Sequence, residues 1–137
     1  MTKLLYPELS FELNGIGFYV QNKLGRFARE KQYGDLFEER LKLKSISYAR
    51  EYIVPRTANR IDFIVNDEIL VELKAVPFLK PDDFAQVQRY LQVLDLELGL
   101  LINFSPKVLK PQRVLKLSTI GAHNISSRLV DSDKLVD

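Results

Sequence analysis

The sequence predicts one α/β or α+β domain, in which a mixed β-sheet is flanked by helices. The first observation is the order of hydrophobic periods, which reads helix, helix, three strands, helix, strand and a possible last strand. The second is size, because 137 residues, 46% hydrophobic and 28% charged, suffice for one core and are too few for two. We expect a single domain over residues 1–118 and a loosely ordered polar tail over residues 119–137.

Two amphipathic helices are predicted to open the domain. In each pattern, apolar residues recur every three or four positions, which is the spacing of one helix face. Gly25 is the expected stop of the first helix. The two stripes are Leu9, Leu13, Ile16, Val20 and Leu24, then Tyr33, Leu36, Phe37 and Leu41.

Strand patterns follow, with one helix between them. A strand-like period begins at Ile46 within SISYAREYIV and is closed by Pro55, and RIDFIVNDEILVELKAV supplies two further strands. Asp82 is expected to cap a helix that begins near Asp83. LELGLLINF suits a buried strand and QRVLKLS a weaker edge strand. The inward stripe of this third helix is Phe84, Val87, Leu91 and Leu94.

The hairpin RIDFIVNDEILVELKAV contains three charged residues, Asp62, Glu72 and Lys74, that interrupt segments suited to burial. A two-residue turn would pair Asp62 with Val71, whereas a three-residue loop over residues 66–68 pairs Asp62 with Glu72 and Arg60 with Lys74. We expect the three-residue loop, since it leaves four charges on one face and gathers the apolar residues on the other. That apolar face comprises Ile61, Phe63, Val65, Ile69, Val71, Leu73 and Ala75.

Two interpretations of the charged face are open. It is either an ordinary solvated face of a half-exposed hairpin or a cation site. Two carboxylates with Cα atoms about 5 Å apart repel each other, and a divalent ion such as Mg²⁺ would stabilise them. Lys74 projects from the same face, where it can orient or help deprotonate water, or neutralise charge on a phosphate.

The composition limits the cofactors and the cellular setting. The chain has no cysteine and one histidine, so a metal must bind through oxygen ligands. No basic start precedes an unbroken apolar run, and charged residues interrupt the apolar runs elsewhere, so we expect no membrane partner and a cytoplasmic location. A net charge of +2 does not by itself indicate nucleic acid.

Two local groups of basic residues could follow a phosphate backbone, although either also suits an ordinary protein surface. One group recurs every three residues near the end of the domain, and the other crowds the junction between the first two helices. They are Lys107, Lys110, Arg113 and Lys116, and Lys23, Arg26, Arg29 and Lys31.

Asp62 followed by Glu72-Leu73-Lys74 resembles the signature of the PD-(D/E)xK nuclease superfamily. The chain most resembles the branch called GxxExxY proteins, on five motifs between about Leu9 and Leu117. The motifs are Leu24-Gly25, Glu30-Lys31-Gln32-Tyr33, Asp62 with VELKA, AQVQRYL and GLLINF. The sequence departs from the branch where its naming glycine falls at Phe27 and where a Val-His pair reads Val20-Gln21.

The resemblance implies a restriction-endonuclease-like core and a set of site residues. Asp62, Glu72 and the Leu73 backbone carbonyl would ligate Mg²⁺ or Mn²⁺, and Lys74 would activate water or stabilise the transition state. Glu30 would hold water or a second ion. Gln86 would orient water or a phosphate, with Gln88 as its alternative on the same helix. Tyr33 and Tyr90 are expected to be packing residues with hydrogen-bonded hydroxyls, and His123 a surface residue.

The leading functional hypothesis is therefore a metal-dependent nuclease that hydrolyses phosphodiester bonds by metal-activated water. The expected partner is nucleic acid, DNA rather than RNA, and a homodimer is compatible with this class of enzyme. The alternative is a catalytically silent nuclease-fold module that binds nucleic acid or a protein partner. A third possibility is a small structural domain with solvated hairpin charges, which a two-residue turn would support.

Overall fold

The computed structural model describes residues 5–117, which form a five-stranded sheet with helices on both faces. The predicted order of helices and strands is confirmed. The predicted tail and His123 lie outside the described residues. The elements are α1 (Pro7–Leu24), α2 (Glu30–Leu43), β1 (Tyr48–Ile53), β2 (Arg60–Val65), β3 (Ile69–Lys74), α3 (Pro81–Leu94), β4 (Leu98–Asn103) and β5 (Gln112–Leu115).

The strands lie in the order β1-β2-β3-β4-β5, and the sheet is mixed. All neighbouring pairs are antiparallel except β3 and β4, which are parallel. Parallel neighbours require a crossover, and α3 supplies it between the two strands. This connection puts α3 on one face of the sheet.

Two hydrophobic cores cover the two faces of the sheet. The helices α1 and α2 pack through residues such as Ile16 and Phe37 on one face, and α3 packs through Val87 and Leu91 on the other. Every residue of β4 is buried. The central strands are therefore covered on both sides, and Glu72 itself is only 6% exposed. The interpretation of the hairpin charges as a solvated face is wrong for Glu72.

The hairpin between β2 and β3 has the predicted three-residue loop. Phe63 lies opposite Val71 and Val65 lies opposite Ile69. Asn66 and Asp67 both adopt φ values of 54°, a left-handed conformation that Asn and Asp tolerate better than most residues. This register places Asp62 opposite Glu72, and it excludes the two-residue turn that would have supported a merely structural domain.

The predicted apolar face of the hairpin is confirmed for six of its seven residues, which lie in or against the core beneath α1 and α2. It is wrong for Ile61, and the opposite face carries apolar residues as well as charges. Ile61 belongs to the core beneath α3 together with Ile64 and Leu70. Glu51, which lies between the β1 residues paired with Phe63 and Ile61, has a φ of 52°. The ladder between β1 and β2 skips the pair of Glu51 with Asp62, and the ladder between β2 and β3 ends at Phe63. Regular pairing is thus interrupted on both sides of β2 where Ile61 lies on the α3 face.

The predicted pairing of Arg60 with Lys74 is also wrong, because the ladder between β2 and β3 ends at Phe63 and Val71. Arg60 lies 3.9 Å from Glu51, and Lys74 lies 3.8 Å from Asp83 of α3. The two strands have separated by the point where Arg60 and Lys74 would meet. Arg60 and Lys74 therefore lie near acids on other elements, which are β1 and α3.

The helix ends show one confirmed and one wrong prediction. α1 ends at Leu24, and Gly25 caps it as predicted, with a φ of 78° that suits glycine and an N–H that donates to the Gln21 carbonyl. α3 begins at Pro81, so Asp82 is not its cap. Proline favours the first helical position, and the Lys80 N–H instead donates to Asp83 Oδ2 at 2.8 Å. Among helices within residues 5–117, none is long and apolar enough to cross a membrane.

Candidate active site

Asp62 and Glu72 occupy the gap where β2 and β3 separate. The backbone N–H of Asp62 donates to Glu72 Oε1 at 2.9 Å, and the backbone N–H of Leu73 donates to Asp62 Oδ2 at 2.7 Å. These reciprocal bonds take the place of the ladder beyond Phe63 and Val71. Each bond engages one carboxylate oxygen, so the second oxygen of each acid lies outside this backbone clamp.

The pair is short of positive charge. Burial, reinforced by the negative charge of Asp62, raises the pKa of Glu72 to about 8. Burial also raises the pKa of Asp62, although the Leu73 N–H opposes this shift. Glu30 raises both pKa values, Lys74 lowers both, and Arg50 lowers that of Asp62. Hard carboxylate oxygens that repel each other are a donor set that suits Mg²⁺ or Mn²⁺, so the residues present fit such an ion.

Glu30 faces the same cleft as Asp62. It is the first residue of α2, and the cleft has a volume of about 260 Å³. Within residues 5–117, however, no group of three or more Asp, Glu, His or Cys side chains is close enough to hold a metal ion. Glu30 therefore shares the cleft without completing a three-carboxylate cluster. The cleft is lined by Glu30, Lys31, Gly34, Arg50, Glu51, Asp62, Phe63 and Leu73.

Lys74 is the last residue of β3 and lies on the same face as Glu72, two positions earlier. Its Nζ is 3.8 Å from Asp83 Oδ1, a long separation for an ion pair, and its side chain is 23% exposed. The positive charge acts on both acids, since it lowers the pKa of Asp62 and of Glu72. The ammonium group is thus near the pair and partly open to solvent.

The structure separates Gln86 from its alternative Gln88. Gln88 is 2% exposed, its Nε2 donates to the Leu115 carbonyl at 2.7 Å, and its Oε1 accepts the Leu117 N–H at 2.9 Å. Gln88 therefore anchors β5. Gln86 is half-buried and lies three residues after Asp83 and four before Tyr90.

Those two neighbours show which way Gln86 faces, because residues three and four apart share one side of a helix. Asp83 contacts Lys74. Burial, and then the negative charge of Glu72, raise the pKa of Tyr90, which places Tyr90 near that acid. Gln86 lies between these two residues on the same face of α3. The geometry thus favours Gln86 over Gln88 as the glutamine of the site.

The four basic residues near the end of the domain do not form one exposed stripe. Lys107 and Lys110 are exposed. Arg113 is 8% exposed and donates to Ser10 Oγ and to the Leu5 carbonyl, each at 3.0 Å. Lys116 is bonded to Asp95 and lies 3.3 Å from Glu97. Arg113 and Lys116 are therefore engaged within the domain.

The junction between α1 and α2 is tied to the loop after β4. Gln21 Nε2 donates to the carbonyls of Phe104 and Pro106 at 3.0 and 2.9 Å, and Arg26 Nε donates to the Ser105 carbonyl at 2.7 Å. Gln21 replaces the histidine of the GxxExxY pattern, and here it fixes a loop. Phe27, at the position of the naming glycine, is 90% exposed.

The tyrosine of the Glu-x-x-Tyr motif has the packing role that the sequence predicts. Tyr33 is fully buried, and its ring stacks on Phe104 with centroids 4.3 Å apart. Its hydroxyl donates to the Gly25 carbonyl at 2.6 Å and accepts the Ala28 N–H at 3.2 Å. The motif therefore fixes the turn between α1 and α2, which sets where Glu30 begins α2.

Arg50 is a site residue that the sequence did not indicate. Its Nη1 donates to Asp35 Oδ1 at 2.8 Å and to Glu38 Oε1 at 2.9 Å, and the side chain lines the cleft with Asp62. The sequence shows only that Arg50 lies in a strand pattern and that Asp35 and Glu38 are three residues apart in a helix pattern. Nothing in that spacing places the strand beside the helix.

A mixed sheet covered by helices on both faces, with an acidic pair where two central strands separate, is consistent with the restriction-endonuclease-like fold. A sequence model described as the PD-(D/E)XK nuclease superfamily matches residues 7–115. The chain belongs to this superfamily. Searches of curated proteins and of solved structures found no match. The narrower resemblance to GxxExxY proteins stays a prediction.

Proposed function

We propose that this protein is a nuclease that depends on a divalent metal and hydrolyses phosphodiester bonds, in DNA rather than RNA. One observation carries the proposal, namely two buried carboxylates clamped together by backbone amides with too little positive charge around them. A structural ion pair would bring one cation to each acid. Here each acid accepts a backbone N–H from the opposite strand. The positive charges of Lys74, which acts on both acids, and of Arg50, which acts on Asp62, leave both pKa values raised, so a cation from solution fits the gap.

The roles of the residues follow from their positions. The side chains of Asp62 and Glu72 and the Leu73 carbonyl would hold Mg²⁺ or Mn²⁺. When bound there, the ion would polarise a phosphoryl oxygen and lower the pKa of water. Lys74, at the open end of β3, would orient water or neutralise charge that develops on the phosphate. Glu30 in the cleft and Gln86 on α3 would hold water on opposite sides of the sheet.

The second candidate is a catalytically silent module that binds nucleic acid or a protein partner. It is favoured by the lack, within residues 5–117, of a three-carboxylate metal group. Asp83 beside Lys74 also fits this candidate, because that acid partly neutralises the lysine. The presence of the buried carboxylate pair argues against a silent module, since two acids that repel each other destabilise a binding module without a benefit.

The test is cleavage of labelled single-stranded, duplex and branched DNA and RNA, in Mg²⁺ or Mn²⁺ and in EDTA. We expect the wild type to cut only with metal, and Asp62→Asn and Lys74→Ala to lose at least about 100-fold in rate, a loss typical of one catalytic group. Asp67→Asn at the exposed hairpin loop and Lys42→Ala on α2 are matched controls that should cut normally.

Two outcomes would contradict the nuclease. One is cutting that persists in EDTA or in Asp62→Asn, which would identify a contaminant or a different site. The other is a wild type that binds nucleic acid without cutting any substrate in either metal, which would support the silent module. Circular dichroism of the variants checks that losses in rate are not losses of folding.

A further inference from the structure

A second cavity, of about 290 Å³, lies at the ends of β3 and β4. Asn103 forms part of its wall and is the register partner of Lys74 across the parallel strands. Neighbouring strands lie about 4.8 Å apart, so the cavity is one strand away from the lysine. It is bounded by the loop after β3, which carries Phe78, and by the loop after β4, which carries Val108.

Hydrogen bonds fix one loop to the sheet and the other to α1. Asn103 Oδ1 accepts the Val76 N–H at 3.0 Å and its Nδ2 donates to the Val76 carbonyl at 2.9 Å. Gln21 holds the carbonyl of Pro106 on the other loop. The cavity is therefore formed before any ligand arrives. Its apolar walls are nevertheless open, since Phe78 is 68% exposed and Val108 is 64% exposed.

The chemistry of the cavity is apolar with a basic edge. Phe84 and Pro106 complete the apolar wall, while Lys110 and Gln112 supply the polar edge. Gln112 Nε2 donates to the Lys110 carbonyl, which leaves the amide oxygen outside that bond. Among the described residues that line the cavity, none is acidic. A flat apolar wall next to an ammonium group complements a nucleobase and its phosphate.

We propose that this cavity, the base pocket, holds one unpaired nucleobase of the nucleic-acid substrate. The base stacks on Phe78, and the adjacent phosphate contacts Lys110. The inference rests on the proposed nuclease function and deepens it, because it names single-stranded or locally unpaired nucleic acid as the substrate. A base within a duplex has neighbours on both faces and cannot enter, and 290 Å³ is near the lower limit for small-molecule sites.

The base pocket can be tested by binding without cleavage. Fluorescence anisotropy in EDTA compares a labelled single strand, the same strand with abasic positions, and its blunt duplex. We expect the wild type to bind the intact single strand most tightly. Phe78→Ala and Lys110→Ala should each weaken that binding about tenfold, with little effect on the abasic strand for Phe78→Ala. Phe78→Tyr, which keeps the ring, should bind as the wild type does.

Matched controls separate the pocket from general effects of the substitutions. Phe11→Ala removes another exposed phenylalanine, 75% exposed on α1, and Lys42→Ala removes an exposed lysine on α2. Both should bind the single strand normally. Thermal melts should show all five variants folded, because each substitution is at an exposed position.

The inference is overturned if Phe78→Ala binds the single strand as tightly as the wild type, if the wild type prefers the duplex or binds no nucleic acid, or if only a protein partner occupies the pocket. These results are distinct from failure of the nuclease. A protein that cuts with metal but ignores Phe78 refutes the base pocket alone. One that binds single strands through Phe78 and never cuts refutes the nuclease alone.

Discussion

Asp62 and Glu72 are placed where they weaken the folded state. Each acid is largely buried, and each has a raised pKa because burial disfavours its charge. Apolar residues at both positions would give a more stable folded hairpin than two buried acids do. Local conflict of this kind is expected at functional sites rather than in a scaffold. The burial of these two acids therefore supports the proposed cation site.

Gln86 and Gln88 allow a direct test at this scale, because they differ in burial and in partners but not in chemistry. Gln88→Ala should lower the free energy of unfolding by about 1–3 kcal/mol, since it leaves the half-buried carbonyl of Leu115 and N–H of Leu117 without their partner. Gln86→Ala should leave stability within about 0.5 kcal/mol and reduce the rate of cleavage. Urea unfolding and single-turnover cleavage measure the two effects.

If Gln88→Ala lowered the cleavage rate and Gln86→Ala lowered the stability, the assignment of the two glutamines would be wrong. If Gln88→Ala unfolds no more easily than the wild type while its cleavage rate falls, then Gln88 is the site residue. The cleavage rate of Gln86→Ala is measured at saturating substrate as a control, because this distinguishes a slower reaction from weaker binding.

At the scale of elements, Arg50 joins β1 to α2 beside the cleft. Its guanidinium reaches Asp35 and Glu38 across the start of α2, and Gly34 leaves the room that it occupies. A Cβ added at Gly34 would lie 2.6 Å from Arg50 Nη2. Glycine otherwise weakens a helix interior. The close approach of the arginine thus accounts for glycine at this helical position.

A double-mutant cycle tests this coupling. In an Arg50→Ala background, Gly34→Ala should stabilise the protein by about 0.5–1 kcal/mol, which is the helix propensity of alanine over glycine. In the wild-type background the same change should give no gain or a loss, because it displaces the guanidinium. The difference between backgrounds should be about 1–2 kcal/mol. Chemical denaturation measures all four variants.

Gly15 supplies the control for this cycle, because a Cβ added there would have nothing within 4 Å. Gly15→Ala on α1 should stabilise both backgrounds equally. Equal stabilisation by Gly34→Ala in both backgrounds would instead show that Arg50 moves freely and does not join the two elements.

Helices and strands could be predicted from the sequence where the local spacing of apolar residues determines them. The apolar spacing of RIDFIVNDEILVELKAV correctly gave the three-residue loop, and with it the opposition of Asp62 and Glu72. It failed for the face of Ile61, because the alternation of side chains between faces assumes a regular ladder. The left-handed Glu51 on the neighbouring strand breaks that regularity, and nothing in the sequence of β2 records it.

At the scale of the whole molecule, the missed residues are those whose role depends on contacts distant in sequence. Arg50 and Asp83 meet the site from a neighbouring strand and from α3. Arg113 looked like a surface cation, but its partners Leu5 and Ser10 are more than 100 residues away. The homodimer and the cytoplasmic location stay predictions from the sequence.

The stability of the whole domain should report the charge at the site through its pH dependence. In EDTA, the folded state keeps a proton on Glu72 up to pH of about 8, whereas an unfolded glutamate loses it near 4.5. The native state then binds more protons than the unfolded state between these values. The free energy of unfolding should therefore fall as pH rises through this window, by on the order of a few kcal/mol. Glu38 has a lowered pKa, so its contribution changes only below that window.

Saturating Mg²⁺ or Mn²⁺ should flatten this trend, because the ion keeps Glu72 deprotonated in the folded state, as it already is in the unfolded state. An ion competes with the proton, so its stabilising effect grows with pH, and it reaches about 2.7 kcal/mol when the free ion is 100 times its dissociation constant. Glu72→Gln should be more stable than the wild type in EDTA at pH 8, equal near pH 4.5, and insensitive to metal. Glu39→Gln, the same change at an exposed position of α2, should behave as the wild type. Urea unfolding at pH 5, 6.5 and 8, with and without metal, measures both effects.

A wild-type stability that is flat across this range in EDTA would mean that Glu72 is already paired with a cation of the protein. The gap between β2 and β3 would then be a structural ion pair rather than a metal site.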